Sequence, residues 1–312
     1  MTTSAMYQQH FGLRESPFGI TPNPAFFYAG NTRGEILEAL LYAVCHGEGI
    51  VKVTGEVGAG KTMLCRMLES RLPGHIEVIY LVNPNLDPVE VQYAIAAELG
   101  LATRGYRVDE IQRAVHTHLI ALHGQGRNVV LLVEEAQAMP LATLEAIRLL
   151  TNLETASSKL LQIVLFGQPE LDRHLDLPSM RQLKERITHS FEVPALASSL
   201  VAEFLAFRLA AAGHGGAPVF SNDAVRLIGD ASEGIVRRIN VLADKALLAA
   251  FADDAGTVEA RHARLAIAES PYRSYRTSRL KGLQPRTVVT ACLLCLVFVA
   301  ICWSVLATAS EL

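Results

Sequence analysis

The sequence predicts an α/β fold with a central parallel sheet, then a smaller helical subdomain, then one C-terminal transmembrane helix. Three observations predict it. Short apolar runs alternate with helically spaced stretches over the first two thirds of the chain, the pattern of strand–helix repeats. A segment of the form G-x-x-x-x-G-K-[ST], Gly55 to Thr62, stands between the first strong strand and the helix after it. Beyond about residue 195 the strand pattern stops and only helical spacing continues.

The elements follow in order. Residues 11–28 are rich in proline, glycine and aromatics, and Pro17, Pro22 and Pro24 forbid a continuous helix. An extended arm that packs its aromatics onto the body is expected. Residues 35–46 carry apolar side chains at Ile36, Leu37, Leu40, Leu41 and Val44, a helical spacing. Residues 50–53 read as a short buried strand, and residues 63–71, after the glycine-rich loop, as a helix. Residues 77–82 make a second strand, ended by Asn83 and Pro84. Asp87 is the expected N-cap of a helix to about Leu99, with Pro88 at its first position and Gly100 at its end. A helix is expected over 109–123; its His116 and His118 lie two apart and share no face, so no metal site is expected there. Residues 128–133 form a near-continuous apolar run, as a strand buried on both faces must. A helix over 141–152 and a strand over 160–166 follow; Leu149, Leu150 and Leu153 are read as core. Helices over 198–212, 221–231, 235–252 and 258–268 complete the helical part. The expected divisions are 1–46 for the arm and first helix, 47–194 for the α/β base, 195–269 for the helical lid, 270–286 for a basic linker and 287–307 for the membrane span.

Composition bounds the rest. The chain has 312 residues, half of them hydrophobic, enough for a sizeable core. The formal charge is −3 and the pI about 6.4, so nothing in the overall balance favours nucleic acid. The five cysteines show no disulfide framework; Cys45 and Cys65 read as small core residues, and Cys292-x-x-Cys295 lacks the further ligands of a zinc site. Residues 1–14 have no apolar stretch of a secretory leader. Residues 288–307 carry no charge, and a helix of about 20 residues crosses a bilayer. Arg273, Arg276, Arg279, Lys281 and Arg286 precede that run, which keeps its N-terminal side in the cytoplasm. Contact of this basic stretch with anionic lipid is expected rather than with DNA.

The chemistry begins at Gly55-Glu56-Val57-Gly58-Ala59-Gly60-Lys61-Thr62. Backbone N–H groups must wrap phosphate oxygens closely, and the glycines permit that curl because they lack a Cβ. Lys61 can reach the outer phosphates and the Thr62 hydroxyl can ligate Mg²⁺. The N-terminus of the following helix points its dipole at the same place. Hydrolysis also needs an acid to anchor the metal and a base to orient water. The apolar strand ending at Val133 supplies Glu134 for the first role and Glu135 for the second. A glutamate at 134 instead of the usual aspartate moves the carboxylate by about 1 Å, a misplacement that can cost roughly 100-fold in rate.

These residues resemble the AAA+ ATPases of the ExeA/GspA type, named for the general secretion pathway, with relatives in pilus-biogenesis and exopolysaccharide-export loci. The resemblance covers about residues 5–270. It is carried by Phe11-Gly12-Leu13, Ser16-Pro17-Phe18, Thr21-Pro22-Asn23-Pro24, the glycine-rich loop, Glu134-Glu135-Ala136-Gln137, Leu149 to Thr155 and Gly167-Gln168-Pro169-Glu170-Leu171. Arg181-Gln182-Leu183-x-x-Arg186-Ile187 and Gly234-Ile235-Val236-Arg237-Arg238-Ile239-Asn240 complete it. The chain departs from the family at Glu134, at Val236, where the family usually has proline, and in ending soon after the apolar run, where longer members continue into a periplasmic peptidoglycan-binding domain.

The resemblance implies roles. Gln168 is similar to the sensor that bonds the γ-phosphate or the attacking water. Arg237, at the start of a lid helix, looks like the second sensor, with Arg238 as its rival. Arg186 resembles an arginine finger that serves the next subunit of a homo-oligomer, with Arg181 as the alternative. The implied ligands are ATP and Mg²⁺, and the implied partner is an inner-membrane envelope-assembly protein. The whole reads as a single-pass, membrane-anchored ATPase that drives or gates secretion, pilus or exopolysaccharide export from the cytoplasmic face of a bacterial inner membrane. Two rivals stand beside it: a nucleotide-gated scaffold that does not hydrolyse, for which Glu134 speaks, and a DNA-associated regulator of the transposition type, which shares the fold.

Overall fold

The computed structural model describes residues 3–46, 49–155 and 158–274. The expected membrane span, most of the basic linker and Cys292, Cys295 and Cys302 lie outside the described residues; among those described, no helix is long and apolar enough to cross a membrane.

The chain opens on α1 (Thr3–His10), runs through an irregular arm with one helical turn at Pro24–Phe26, and enters α2 (Arg33–His46). Then come β1 (Ile50–Thr54), α3 (Lys61–Arg71), β2 (Ile76–Leu81), α4 (Glu90–Glu98), α5 (Val108–Gly124) and β3 (Asn128–Val133). The base closes with α6 (Leu141–Leu150), β4 (Leu161–Gly167), α7 (Glu170–Leu175), α8 (Arg181–Glu185) and β5 (Ile187–Glu192). Four helices follow: α9 (Val201–Ala211), α10 (Asn222–Ser232), α11 (Val236–Ala252) and α12 (Ala260–Ala268).

All five strands are parallel, in the order β2-β3-β4-β1-β5. The central strands show why their sequences are so apolar. Leu131 and Val133 of β3, with Ile163 and Leu165 of β4, face the layer of α4, α5 and α6. Val130, Leu132, Val164 and Phe166 face the layer of α2 and α3. Successive side chains alternate faces, and both faces are covered, so nearly every position is apolar, with half-buried Asn128 and Gln162 near the amino ends of β3 and β4 the exceptions. The register Thr54↔Gly167 and Val133↔Leu165 sets the carboxyl ends of β1, β4 and β3 side by side. Crevices beyond such strand ends are where ligands bind in open α/β sheets.

Several expectations need correction. β5 was not expected: Thr188, His189, Ser190 and Glu192 are exposed, because this is an edge strand with little cover on either face. Leu149 is 51% exposed and not core, although Leu150 is buried on the adjacent face of α6. Asp87 does accept from the Val89 and Glu90 amides, at 2.7 Å each, yet regular helix begins only at Glu90. Residues 3–10, for which no helix was expected, form α1, and the arm expected to be extended over 11–28 carries one helical turn at Pro24–Phe26.

The arm packs on the helical unit. Tyr7, Phe11, Leu13, Phe18, Phe26 and Tyr28 share one buried cluster with Phe204, Leu205, Phe220 and Leu247. Polar ties reinforce it: the Tyr7 hydroxyl donates to Asp244 at 2.9 Å, Arg14 N–H donates to the Ala212 carbonyl at 2.8 Å, and Arg208 donates to the Pro17 carbonyl at 2.6 Å. Phe18 meets Phe220 edge-on at 6.0 Å and is 2% exposed. Phe18→Ala is expected to cost about 3–5 kcal/mol in chemical denaturation, the usual loss for a buried phenylalanine. A loss under about 1 kcal/mol would mean that the arm is not part of this core.

Candidate functional site

The site is built from the three adjacent strand ends, the arm and the start of α11. After β1 the chain turns through Gly55 to Gly60 and enters α3 at Lys61. Gly58 has a φ of +82°, and a Cβ there would stand 2.7 Å from the Arg237 Cβ. The glycine therefore permits both the curl of the loop and the close approach of α11. The approach is bonded: Arg237 N–H donates to the Gly58 carbonyl at 3.0 Å. The Lys61 ammonium bridges the Gly55 and Glu56 carbonyls at 2.8 and 3.1 Å, closing the loop on itself. Burial lowers the Lys61 pKa from its usual value, and the nearby Glu135 and Glu56 oppose that shift.

The cleft bounded by these elements has about 980 Å³ of empty space, counted out to open solvent. One end is polar, with Gly58, Gly60, Lys61, Thr62, Glu135, Gln168 and Arg237. The other is apolar and largely supplied by the arm, with Ile20, Pro22, Phe26, Phe27 and Tyr28 beside Phe204 of α9. An apolar slot next to a ring of N–H donors and cations suits a nucleotide, base at one end and phosphates at the other.

Charge makes the case sharper. Four cations line the cleft, Arg33, Lys61, Arg208 and Arg237, against one carboxylate, Glu135. Arg33, Lys61 and Arg208 are 6%, 8% and 5% exposed. None of the four forms an ion pair within 4 Å among the described residues; their bonds go to carbonyls, from Arg33 to Ala59 and Pro194 and from Arg208 to Pro17 and Gly19. Burial lowers the Arg33 pKa and brings that of Arg208 down to about 10. These buried cations are held by carbonyls and, at Arg208, by the faces of Phe26 and Phe204, but by no carboxylate within 4 Å among the described residues; a polyanion is the ligand that offsets the remaining cost.

Glu135 sits at the end of β3 with φ 52°, a left-handed conformation that costs a non-glycine residue about 1–3 kcal/mol. Its Oε2 accepts from Gln137 Nε2 at 2.7 Å and from Gln168 Nε2 at 3.0 Å. Burial would raise its pKa, but the two amide donors, with Lys61 and Arg237 nearby, outweigh it and hold the carboxyl below its ordinary value. Glu135 and Gln168, from two strands, thus meet at one point.

Glu134 differs. It is not among the cleft-lining residues, and its Oε1 is buried with no hydrogen-bond partner among the described residues. Tyr80 and Cys65 lie beside it; burial first, and then these neighbours, raise the Tyr80 pKa. A buried carboxylate oxygen without a donor fits a cation, so the pair Thr62 and Glu134 is chemically suited to Mg²⁺.

The two arginine pairs separate cleanly. Arg237 lines the cleft, whereas Arg238 turns away to pair with Glu233 at 2.8 Å and to cover the Tyr272 ring. Arg186 lies outside its own cleft and donates to the Thr151 hydroxyl, while Arg181 is exposed and paired with Glu185. Sequence reasoning missed Arg33, Arg208 and Asn240, whose buried Oδ1 has no partner among the described residues. Asn240 closes the motif that begins at Gly234 but is given no role by it, and no local motif marks Arg33 and Arg208; the docking of the arm and lid brings all three to the cleft.

Comparison with known proteins gives the family and the fold. Residues 45–175 match the family described as AAA domain. Over 248 residues, 79% of this chain, the sequence is 42% identical to General secretion pathway protein A of Aeromonas hydrophila. The chain spans about 45% of that relative's length. Among solved structures, the Aeropyrum pernix ORC2 protein in ADPNP–ADP complexes matches with a TM-score of 0.63 at 17% identity, over 86% of this chain and 74% of that one. A Walker-type ATPase of Pyrococcus abyssi matches at 0.54 and 15% identity, over 87% and 80%. At such identities the structural matches show the fold alone.

Proposed function

The chain belongs to the AAA ATPases of the general secretion pathway protein A type, and from that membership we propose that it binds ATP with Mg²⁺ in the cleft and hydrolyses it. The observation that carries this reading is a cleft lined by four cations that have no ion-pair partner among the described residues, with a single oriented carboxylate, Glu135, beside them. Lys61 and the loop amides hold the outer phosphates. Thr62 and Glu134 hold the metal, which when bound neutralises charge on the phosphate oxygens. Glu135 takes the proton of the attacking water and Gln168 orients that water or the γ-phosphate. Arg237 couples the phosphates to α11, and so the lid and its attached arm to the state of the nucleotide.

Around this core we place a homo-oligomer in which Arg186 serves the neighbouring subunit's nucleotide. Its position outside its own cleft supports that role. The charge-free run 288–307 with its basic flank supports a membrane anchor with the ATPase body on the cytoplasmic side, and the likeness to General secretion pathway protein A supports an envelope-assembly partner for secretion, pilus or polysaccharide export. One observation favours a second reading, a nucleotide-gated scaffold that does not turn over: Glu134, a glutamate where the family usually has aspartate, is not among the residues that line the cleft.

Calorimetric titration tests the binding part. ATP with Mg²⁺ is expected to bind at least about 100-fold tighter than AMP, because charge-assisted bonds to the outer phosphates carry the affinity. Arg237→Ala should weaken ATP about tenfold and leave AMP unchanged. Equal affinity for ATP and AMP would contradict the reading.

A further inference from the structure

Glu135 does not stand alone at the end of β3. Two residues on, Gln137 reaches back along the turn, and its amide is engaged at both ends. Its Oε1 accepts the backbone N–H of Gln168 at 2.9 Å, and its Nε2 donates to Glu135 Oε2 at 2.7 Å. A backbone N–H only donates, so the oxygen of Gln137 must face Gln168 and the NH₂ must face the carboxylate; the chemistry fixes the amide's orientation. Gln168 closes the ring by donating its own side-chain amide to the same Oε2 at 3.0 Å. One carboxylate oxygen thus holds two donors, and no described residue hydrogen-bonds the other, Oε1.

We infer that Gln137 is a positioning residue for hydrolysis: it ties the end of β3 to the end of β4 and aims the Glu135 carboxylate, so that Oε2 is held by protein amides and Oε1 is left to accept the proton of water. The inference rests on the reading of Glu135 as the base. Geometry supports it at two points. Glu135 has a left-handed backbone and its side chain caps no helical amide, so the amides of Gln137 and Gln168 are what hold its carboxylate. And Gln137 contacts both partners without lining the cleft itself, so it acts through them.

The test uses the full chain in lipid nanodiscs, with kcat and KM for ATP followed against pH and ATP affinity measured alongside. Gln137→Ala is expected to lower kcat about 10- to 100-fold, the effect of a catalytic group loosened by about an ångström, with KM within about threefold. Gln137→Glu keeps the size and an oxygen for the Gln168 amide but replaces the donor to Oε2 by a carboxylate, so kcat should fall at least as far as in Gln137→Ala, with KM again within about threefold. Unchanged kcat in both variants, or a rise in KM with kcat retained, overturns the inference while leaving the ATPase reading intact. Full activity in Glu135→Gln, or no hydrolysis by the wild type, overturns the reading of the base and this inference with it.

Discussion

Glu135→Gln is expected to abolish phosphate release, by about 100- to 10,000-fold, while ATP binding stays within about threefold. The replacement has the same size but cannot accept a proton from water. The backbone at 135 and its neighbours have no reason to move, since Gln168 and Gln137 can still bond the amide oxygen. Lost turnover with binding retained therefore separates the base from the binding residues. The pH dependence carries a sign. The carboxyl of Glu135 is held below its ordinary value by its amide donors and the cations Lys61 and Arg237. A group with a depressed folded pKa stays ionised as pH falls through the normal carboxylate range. Turnover should persist there, and any stability it contributes is present above the unfolded value and lost only as pH falls through the depressed one. Phosphate release that began to fall above pH 6 with the pKa of a single group would contradict that assignment.

Lys61→Ala is expected to weaken ATP by about 10- to 100-fold or more, because a charge-assisted hydrogen bond to a buried anion is worth about 1.5–3 kcal/mol. The ammonium is buried and donates to the Gly55 and Glu56 carbonyls, and among the described residues it forms no ion pair within 4 Å. Removing it also leaves those two carbonyls without that donor, and some loosening of the loop accompanies the loss. Lys61→Arg keeps the charge but is too large for the same place; it should not restore full affinity. Titration with ATP measures both. Unchanged affinity in Lys61→Ala would mean that nucleotide, if bound, lies elsewhere.

The site's polar end was legible because its chemistry is local. A glycine loop between strand and helix, and two acids closing a buried strand, are short patterns whose geometry follows from the element they sit on. Gln168 and Arg237 were found only through a family resemblance, since nothing in their immediate sequence marks them. The apolar end was not legible at all. Phe26 and Tyr28 read as arm aromatics that pack somewhere, yet they line the cleft with Phe204, a residue far along the chain. Arg33 and Arg208 look like ordinary helix arginines until folding strips them of water. In the sheet, β1, β3 and β4 announced themselves by apolar runs, because burial on two faces demands it. β5 did not, because an exposed edge imposes no such demand on Ile187-Thr188-His189-Ser190-Phe191-Glu192. Gln137 stood in plain view beside the two acids, but only the fold shows that its amide reaches Gln168.

Hydrolysis itself is the central claim, and steady-state phosphate release from MgATP in nanodiscs, with binding measured in parallel, tests it most directly. The account predicts release by the wild type that Glu135→Gln and Lys61→Ala both remove. Wild type that binds ATP without releasing phosphate, and that gains release on Glu134→Asp, would contradict it and establish a nucleotide-gated scaffold in its place.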